Sequence, residues 1–280
     1  MKYKIEKNTV QETLIIPLYA RKVCSELYPD LYRDETAVRL IGEIDYDFSQ
    51  AEKKARGLMQ RFGSLEVAMR QNDLVFEVRD YLKDHPNAAV VNLGCGLDST
   101  GKACDNGSCS IYNLDFPDVI AVRNELLPAG EREKNIPCDL NDTAWFSQID
   151  ASKGAVFFAS GVFYYFLTEQ VQALVQAMAE AFPGGVLVFD GANRTAVKMI
   201  SKTWLKSAKI QNVGAYFAVT DAPKEIGPWN SRLRVTSRGY MLGYNDLKAP
   251  SVSGFFRFLA RVGDGMMKMQ IVKIGFGGKQ

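Results

Sequence analysis

The chain has one histidine, His85, among 280 residues. A Ser-His-Asp triad would have to use it, and a site built from several histidine metal ligands is excluded. It stands in Lys83-Asp84-His85-Pro86 and reads as an exposed turn residue ahead of a strand. Cysteine is scarce and odd in number. Cys24, Cys95, Cys104, Cys109 and Cys138 are scattered, as reduced thiols of an intracellular protein would be, and not spaced as a disulfide framework. A charge excess is missing too: 34 Lys and Arg against 32 Asp and Glu leave +2, which argues against a dedicated nucleic-acid binder. No apolar run approaches the roughly 18 residues of a membrane span. The apolar stretch 14–20 is short, contains Pro17, and is followed by no small-residue cleavage site, so a signal peptide is not expected. The expectation is a soluble cytoplasmic protein with neither nucleic acid nor membrane as partner.

What is present is an ordinary globular composition, 47% hydrophobic and 24% charged. A chain of this length buries roughly three quarters of its unfolded surface without staples. Residues 9–27, 34–41, 50–61 and 65–84 carry apolar side chains at three- and four-residue spacing and predict helices. From residue 88 short apolar strands alternate with helices: AAVVNLG, then SIYNLD (110–115) and a Pro117-initiated helix over 117–127. A strand at 154–160 precedes a helix over 168–182 with Thr168 as candidate N-cap. A strand at 184–190 precedes a helix over 194–207. Later, 232–242 reads as a strand, 253–262 as a helix and 269–276 as the last strand. Pro and Gly in 221–230 suggest a loop able to close over a site. Strands alternating with helices imply a mostly parallel α/β sheet covered on both faces. One domain is expected, with a helical cap over 1–85, an α/β core over 86–280, and 207–262 as its acceptor-side or lid region.

The chemistry concentrates in Val90-Val91-Asn92-Leu93-Gly94-Cys95-Gly96-Leu97-Asp98-Ser99-Thr100. A buried strand running into Gly-x-Gly places a bare backbone turn at a strand's carboxyl end, where ligands bind in open α/β sheets. The dinucleotide fingerprint wants a third glycine, and here that position is Ser99; Asp98 in the same turn would repel a pyrophosphate. Both points favour a cationic, phosphate-free cofactor, S-adenosylmethionine before all, over NAD or FAD. Asp115 ends the next strand, 19 residues after Gly96, where a carboxylate accepts hydrogen bonds from ribose hydroxyls or caps the helix at Pro117. Asp139 follows a third predicted strand and reaches either an adenine amino group or only its own turn.

VVNLGCGLDST followed by IYNLDFPDVIAVRNELL resembles the leucine carboxyl methyltransferase family, and most of all its bacterial branch of polyketide-biosynthesis O-methyltransferases. The resemblance extends through TLIIPLYARK, AMRQND, RDYLKDHP and ASGVFYYF, and is loose in the last third. It implies a class I S-adenosylmethionine-dependent, Rossmann-like fold: a seven-stranded sheet with helices on both faces and a helical N-terminal extension. It further implies that Gly94 and Gly96 line the cofactor's methionine and ribose, that Asp115 holds the ribose, and that Asp139 and Leu140 border the adenine. Arg70, and Arg21 from the N-terminal segment, would pair with the cofactor's carboxylate; an arginine can grip it bidentately. Many relatives carry glutamate where this chain has Ser160, which supplies no charge. Tyr165 matches a family tyrosine and would position the acceptor.

Of Phe163, Tyr164, Tyr165 and Phe166, two are expected in the core and the others at the transfer site; Trp229 and Tyr240 are candidates for an acceptor pocket. With no usable histidine, a base would be Asp190 or Tyr165, and this scarcity favours a small-molecule acceptor whose oxygen is already ionised, a carboxylate. Two other readings stand beside this one: a nicotinamide-dependent oxidoreductase on the same sheet, and a non-catalytic binder of S-adenosylmethionine.

Overall fold

The computed structural model describes residues 2–5, 10–200 and 216–277. Strand β1 (Tyr3–Lys4) leads to helices α1 (Val10–Leu27) and α2 (Glu35–Glu43), strand β2 (Ile44–Asp45), and helices α3 (Ser49–Ala55) and α4 (Leu58–Asp84). The alternating part follows as β3 (Ala89–Leu93), α5 (Thr100–Cys104), β4 (Ser110–Asp115), α6 (Pro117–Leu126), β5 (Glu133–Pro137), β6 (Ala155–Ala159), α7 (Thr168–Ala181), β7 (Val186–Gly191) and α8 (Arg194–Ile200). Then come α9 (Ala222–Ile226), β8 (Leu233–Gly239), α10 (Gly254–Met266) and β9 (Gln270–Phe276). Strands β1 and β2 pair separately; the other seven form one sheet in the order β5-β4-β3-β6-β7-β9-β8. Its first five strands are parallel, and β9 runs antiparallel to both β7 and β8.

Strand β3 is buried on both sides, as a central parallel strand must be. Val91 and Leu93 join Phe157, Val175 and Met178 on one face of the sheet. Val90 points the other way, into a cluster with Leu74 and Val78 of α4. Helix α4 therefore covers the sheet with its second half. Its first half packs Phe62, Leu65 and Met69 against Phe256 of α10 and the C-terminal end of α1.

Most predicted elements are present, with local differences. The break between the third and fourth helices falls at Gly57, whose extended ψ of 141° ends the run, and not near Gly63, which is buried within α4. Thr168 is the first helical residue and not the cap; Gln170 Oε1 accepts the Leu167 N–H at 2.8 Å instead. The expected loop at 221–230 is α9 and a 3₁₀ turn over Gly227–Trp229. Ala222 and Ile226 bury it in the main core, so it is no free lid. Strand β8 stops at Gly239, because Met241 takes a left-handed φ of 58°. Residue 9 of the first predicted helix, residues 201–207 of the helix predicted over 194–207, and 207–215 of the expected lid region lie outside the described residues. Among the described residues, no helix is long and apolar enough to cross a membrane. All five cysteines are free thiols.

Candidate active site

The carboxyl ends of the parallel strands open into a cavity of about 510 Å³, within the range of small-molecule sites. It lies where the strand order reverses around β3, the place a doubly wound sheet leaves for ligands. The turn after β3 forms its floor. Gly94 there has φ 68°, and a Cβ would sit 2.6 Å from Val162 Cγ2, so only glycine fits.

The turn is held through its main chain. Gly96 N–H donates to Asp115 Oδ2 at 2.8 Å, while Asp115 Oδ1 accepts the Phe116 N–H at 2.8 Å. Arg123, buried on α6, donates from Nη1 to Gly96 O at 2.9 Å and to Asp98 O at 2.8 Å. Arg21 Nη2 donates to Leu97 O at 2.9 Å, and Arg21 Nε to Asp34 Oδ2 at 2.9 Å. Asp98 Oδ1 accepts from Asn92 Nδ2 at 2.8 Å and from the Thr100 N–H at 3.1 Å. Three successive loop carbonyls thus face cationic donors, and the turn keeps its shape without a ligand.

The opposite wall comes from α4 and the end of β6. Arg70 Nη1 pairs with Asp190 Oδ2 at 3.0 Å, and Asp190 Oδ1 accepts the Gly161 N–H at 2.6 Å. A Cβ on Gly161 would come within 2.9 Å of Arg70 Nη1, so the bare backbone lets the guanidinium lie against it. Burial opposes the Arg70 charge, but Asp190, with Tyr240 and Tyr164, outweighs it and raises the arginine's pKa. Arg70 Nε is buried without a partner, an unmet donor of the kind that costs stability unless a ligand satisfies it.

Burial also sets the other titrations. It pushes the Cys138 thiol up to about 12 and Cys95 well above its usual value, so neither is a thiolate at neutral pH. It raises Tyr164, Tyr165 and Tyr240, which disfavours their phenolates. Asp115 is raised by burial, with the Gly96 and Phe116 N–H groups working against the rise. Glu66, one turn before Arg70 on α4, is pushed up to about 7 by burial, and Arg70 opposes this only in part.

Of the predicted site residues, the fold brings Arg21, Arg70, Gly94, Gly96, Asp98, Asp115, Leu140, Ser160 and Tyr165 to this one cavity, together with Tyr240 and Asp190. Asp139 stands outside it. Its exposed carboxylate accepts the Asn141 N–H and Nδ2 at 2.9 Å each, so the turn leaves Leu140 and Asn141 at the wall. Phe163 and Tyr164 are the buried pair of the four aromatics, although Tyr164 also borders the cavity. Trp229 lies elsewhere, packed against Phe217 with its carbonyl accepting from Gln176. His85 caps α4 and stacks on Tyr81, away from the cavity.

The sequence from residue 18 to 179 matches the profile of the leucine carboxyl methyltransferases. The chain belongs to that family. Its members depend on S-adenosylmethionine. Two relatives agree with the assignment. The tetracenomycin polyketide synthesis O-methyltransferase TcmP of Streptomyces glaucescens is 28% identical over 182 residues. That alignment takes in 65% of each chain, just under two thirds of TcmP's length. The S-adenosyl-L-methionine-dependent methyltransferase dpfgK of Gibberella zeae is 25% identical, over 94% of this chain and 92% of its own length. In fold, the chain is similar to a Thermobifida fusca YX protein assigned as a methyltransferase, with TM-score 0.61, 17% identity and 93% and 94% of the two chains covered. It also resembles a DUF574-family protein of Streptomyces avermitilis, with TM-score 0.57, 11% identity and 92% and 96% covered. The class I methyltransferase sheet expected from the sequence is therefore present.

The donor set fits the family's cofactor. Arg70 Nε is a free cationic N–H for a methionine carboxylate. The Asp115 oxygens, each occupied by one N–H, retain lone pairs for ribose hydroxyls. Asp98 puts a carboxylate in the turn, a poor neighbour for a phosphate. Arg21, expected to bind the carboxylate, is instead committed to Leu97 O and Asp34. Sequence reasoning missed Arg123 and Glu66. The signal for each was a charged residue inside an apolar helical stripe: Arg123 beside Val119, Val122 and Leu126, Glu66 beside Phe62, Leu65 and Met69.

Proposed function

We propose that the chain transfers a methyl group from S-adenosylmethionine to the hydroxyl oxygen of a small, largely apolar acceptor. The bound cofactor supplies a methyl carbon already activated by a positively charged sulfur. The protein's part is to bind, orient and exclude water. Asp115 holds the ribose, Arg70 the amino-acid carboxylate, and Leu140 borders the adenine. Tyr165 and Phe166 shape the acceptor's entrance, and Ile16, Pro17 and Val67 give it an apolar wall.

The observation that carries the hydroxyl over a carboxylate is the charge balance of the cavity. Its two arginines are already engaged, Arg70 with Asp190 and Arg21 with Asp34. Among the described residues, a carboxylate acceptor would meet no further cation and would face Glu66, Asp98 and Asp190. The scarcity of bases that favoured a carboxylate on sequence grounds falls away once Glu66 lines the site. Two measurements test the reading. S-adenosylhomocysteine should raise the melting temperature where NADH does not. Given tritiated cofactor and the matched pair 1-naphthol and 1-naphthoic acid, label should enter the naphthol; transfer to the acid alone would refute it.

A further inference from the structure

Among the described residues four carboxylates border the cavity, and three of them are already engaged by protein donors: Asp98 by Asn92 and Thr100, Asp115 by Gly96 and Phe116, Asp190 by Arg70 and Gly161. The fourth is Glu66. Among the described residues no hydrogen-bond donor engages its carboxylate, although it is half-buried on the inner face of α4. Its backbone is fixed, because Tyr240 Oη donates to Glu66 O at 2.8 Å. A half-buried carboxylate with no hydrogen-bond donor is costly to keep, and helix α4 offers an easy alternative in any apolar residue that would continue the Phe62–Leu65–Met69 stripe.

We propose that Glu66 is the general base that removes the acceptor's hydroxyl proton, an assignment that rests on the hydroxyl reading given above. As the acceptor oxygen bonds to the methyl carbon, the carbon–sulfur bond breaks with its electron pair left on sulfur. The hydroxyl proton passes to a Glu66 carboxylate oxygen, and solvent takes it after the product leaves. Groups facing Glu66 set its basicity: Arg70 on its own helix, Tyr240 after β8, and beyond Arg70 the Asp190 carboxylate and the Tyr164 hydroxyl. Burial lifts the carboxyl to about 7, where a base is half available and still strong at neutral pH. The rival bases are less suited. Tyr165 is raised by burial, and Asp190 spends its oxygens on Arg70 and Gly161.

The test uses two phenols that differ in acidity. 4-Nitrophenol ionises unaided in mildly alkaline buffer, whereas 4-methylphenol, the free counterpart of a tyrosine side chain, has a pKa of about 10. Glu66→Gln should lower kcat for 4-methylphenol by roughly 100-fold or more and change kcat for 4-nitrophenol by only a few-fold, with the Kd for S-adenosylhomocysteine unaltered. Equal losses on both phenols, or none on 4-methylphenol, would overturn the proposal. A turnover-independent measurement accompanies it. In the S-adenosylhomocysteine complex, Glu66 holds bound 4-nitrophenol in its neutral form, so its phenolate absorbance should grow in Glu66→Gln and change less in Glu66→Asp. An unchanged band overturns the base alone. No binding of either phenol to the wild type overturns the hydroxyl reading and the base with it.

Discussion

Replacing Arg123 with methionine tests whether the glycine turn is held by its carbonyls. The arginine is 4% exposed and donates to Gly96 O, Asp98 O and Asn135 Oδ1. Methionine fills most of the space and supplies no donor, so two loop carbonyls lose their partner, while Asn135 Oδ1 keeps its bond from Asn113 Nδ2 at 3.1 Å. An acceptor left unsatisfied in the interior costs about 1–3 kcal/mol, and part of each deficit is recovered by water reaching the loop. A net loss of about 3 kcal/mol is expected, which for a chain of this size lowers the melting temperature by about 6 °C. The loosened turn should also bind S-adenosylhomocysteine about tenfold more weakly, removing about 1.4 kcal/mol of ligand stabilisation at fixed concentration. Differential scanning fluorimetry with and without S-adenosylhomocysteine, and calorimetric titration, measure the two effects. Arg123→Lys, able to keep one carbonyl, should fall between. A variant that melts within about 1 °C of wild type and binds the ligand equally well would refute the argument, because it would show that the turn is shaped by Gly94 and its neighbours alone.

Arg70→Met takes the cationic partner from buried Asp190 and leaves the cofactor carboxylate without its cation. S-adenosylhomocysteine should bind about 30-fold more weakly or worse, measured by titration, while adenosine, which lacks the carboxylate, should lose little. Gly94→Ala forces a side chain into a left-handed turn and against Val162. A stability loss of about 3 kcal/mol should appear as a lower urea midpoint with an unchanged slope. Asp73, 1% exposed, is pushed up to about 7, mainly by burial, with the Met241 N–H opposing and Asp264 adding to the rise. Its folded pKa exceeds its unfolded one, so its contribution to stability is complete below about pH 4 and is lost as pH rises through about 7. Asp73→Asn, whose amide oxygen still accepts the Met241 N–H, should therefore remove about 2–3 kcal/mol of the destabilisation that wild type shows between about pH 5 and 8 in chemical melts.

The fold was readable because its signals are redundant. The central strands are short, mostly apolar segments, and Pro117 marks its helix in one letter. The glycine turn and Asp115 were readable because a bare backbone and a carboxylate at fixed spacing have few other uses. Residues whose role depends on a partner far away in sequence were not. Nothing near Arg21 says that Leu97 O, 76 residues on, will take its guanidinium. Asp139 is the residue expected at the adenine, and only the local turn, in which its carboxylate accepts from Asn141, shows that it faces away from the cavity. Trp229 is one of three tryptophans, and its place in the core depends on Phe217, which no local pattern pairs with it. Glu66 shows the same limit from the other side. Its neighbours predict a helix face, and only the folded cavity shows that the other carboxylates around it are already engaged.

The order of the sheet also constrains how the chain can assemble. Strand β9 lies between β7 and β8 and, among the described residues, is the sole sheet partner of β8. During synthesis β8 emerges first and has nowhere to dock, while β7 presents its unpaired side. That side is flanked by Leu187, Val188 and Phe189, all fully buried once the sheet is complete. Until residues 270–276 leave the ribosome, the nascent protein carries an open apolar strand edge, the feature that invites association with other chains and shelter by chaperones.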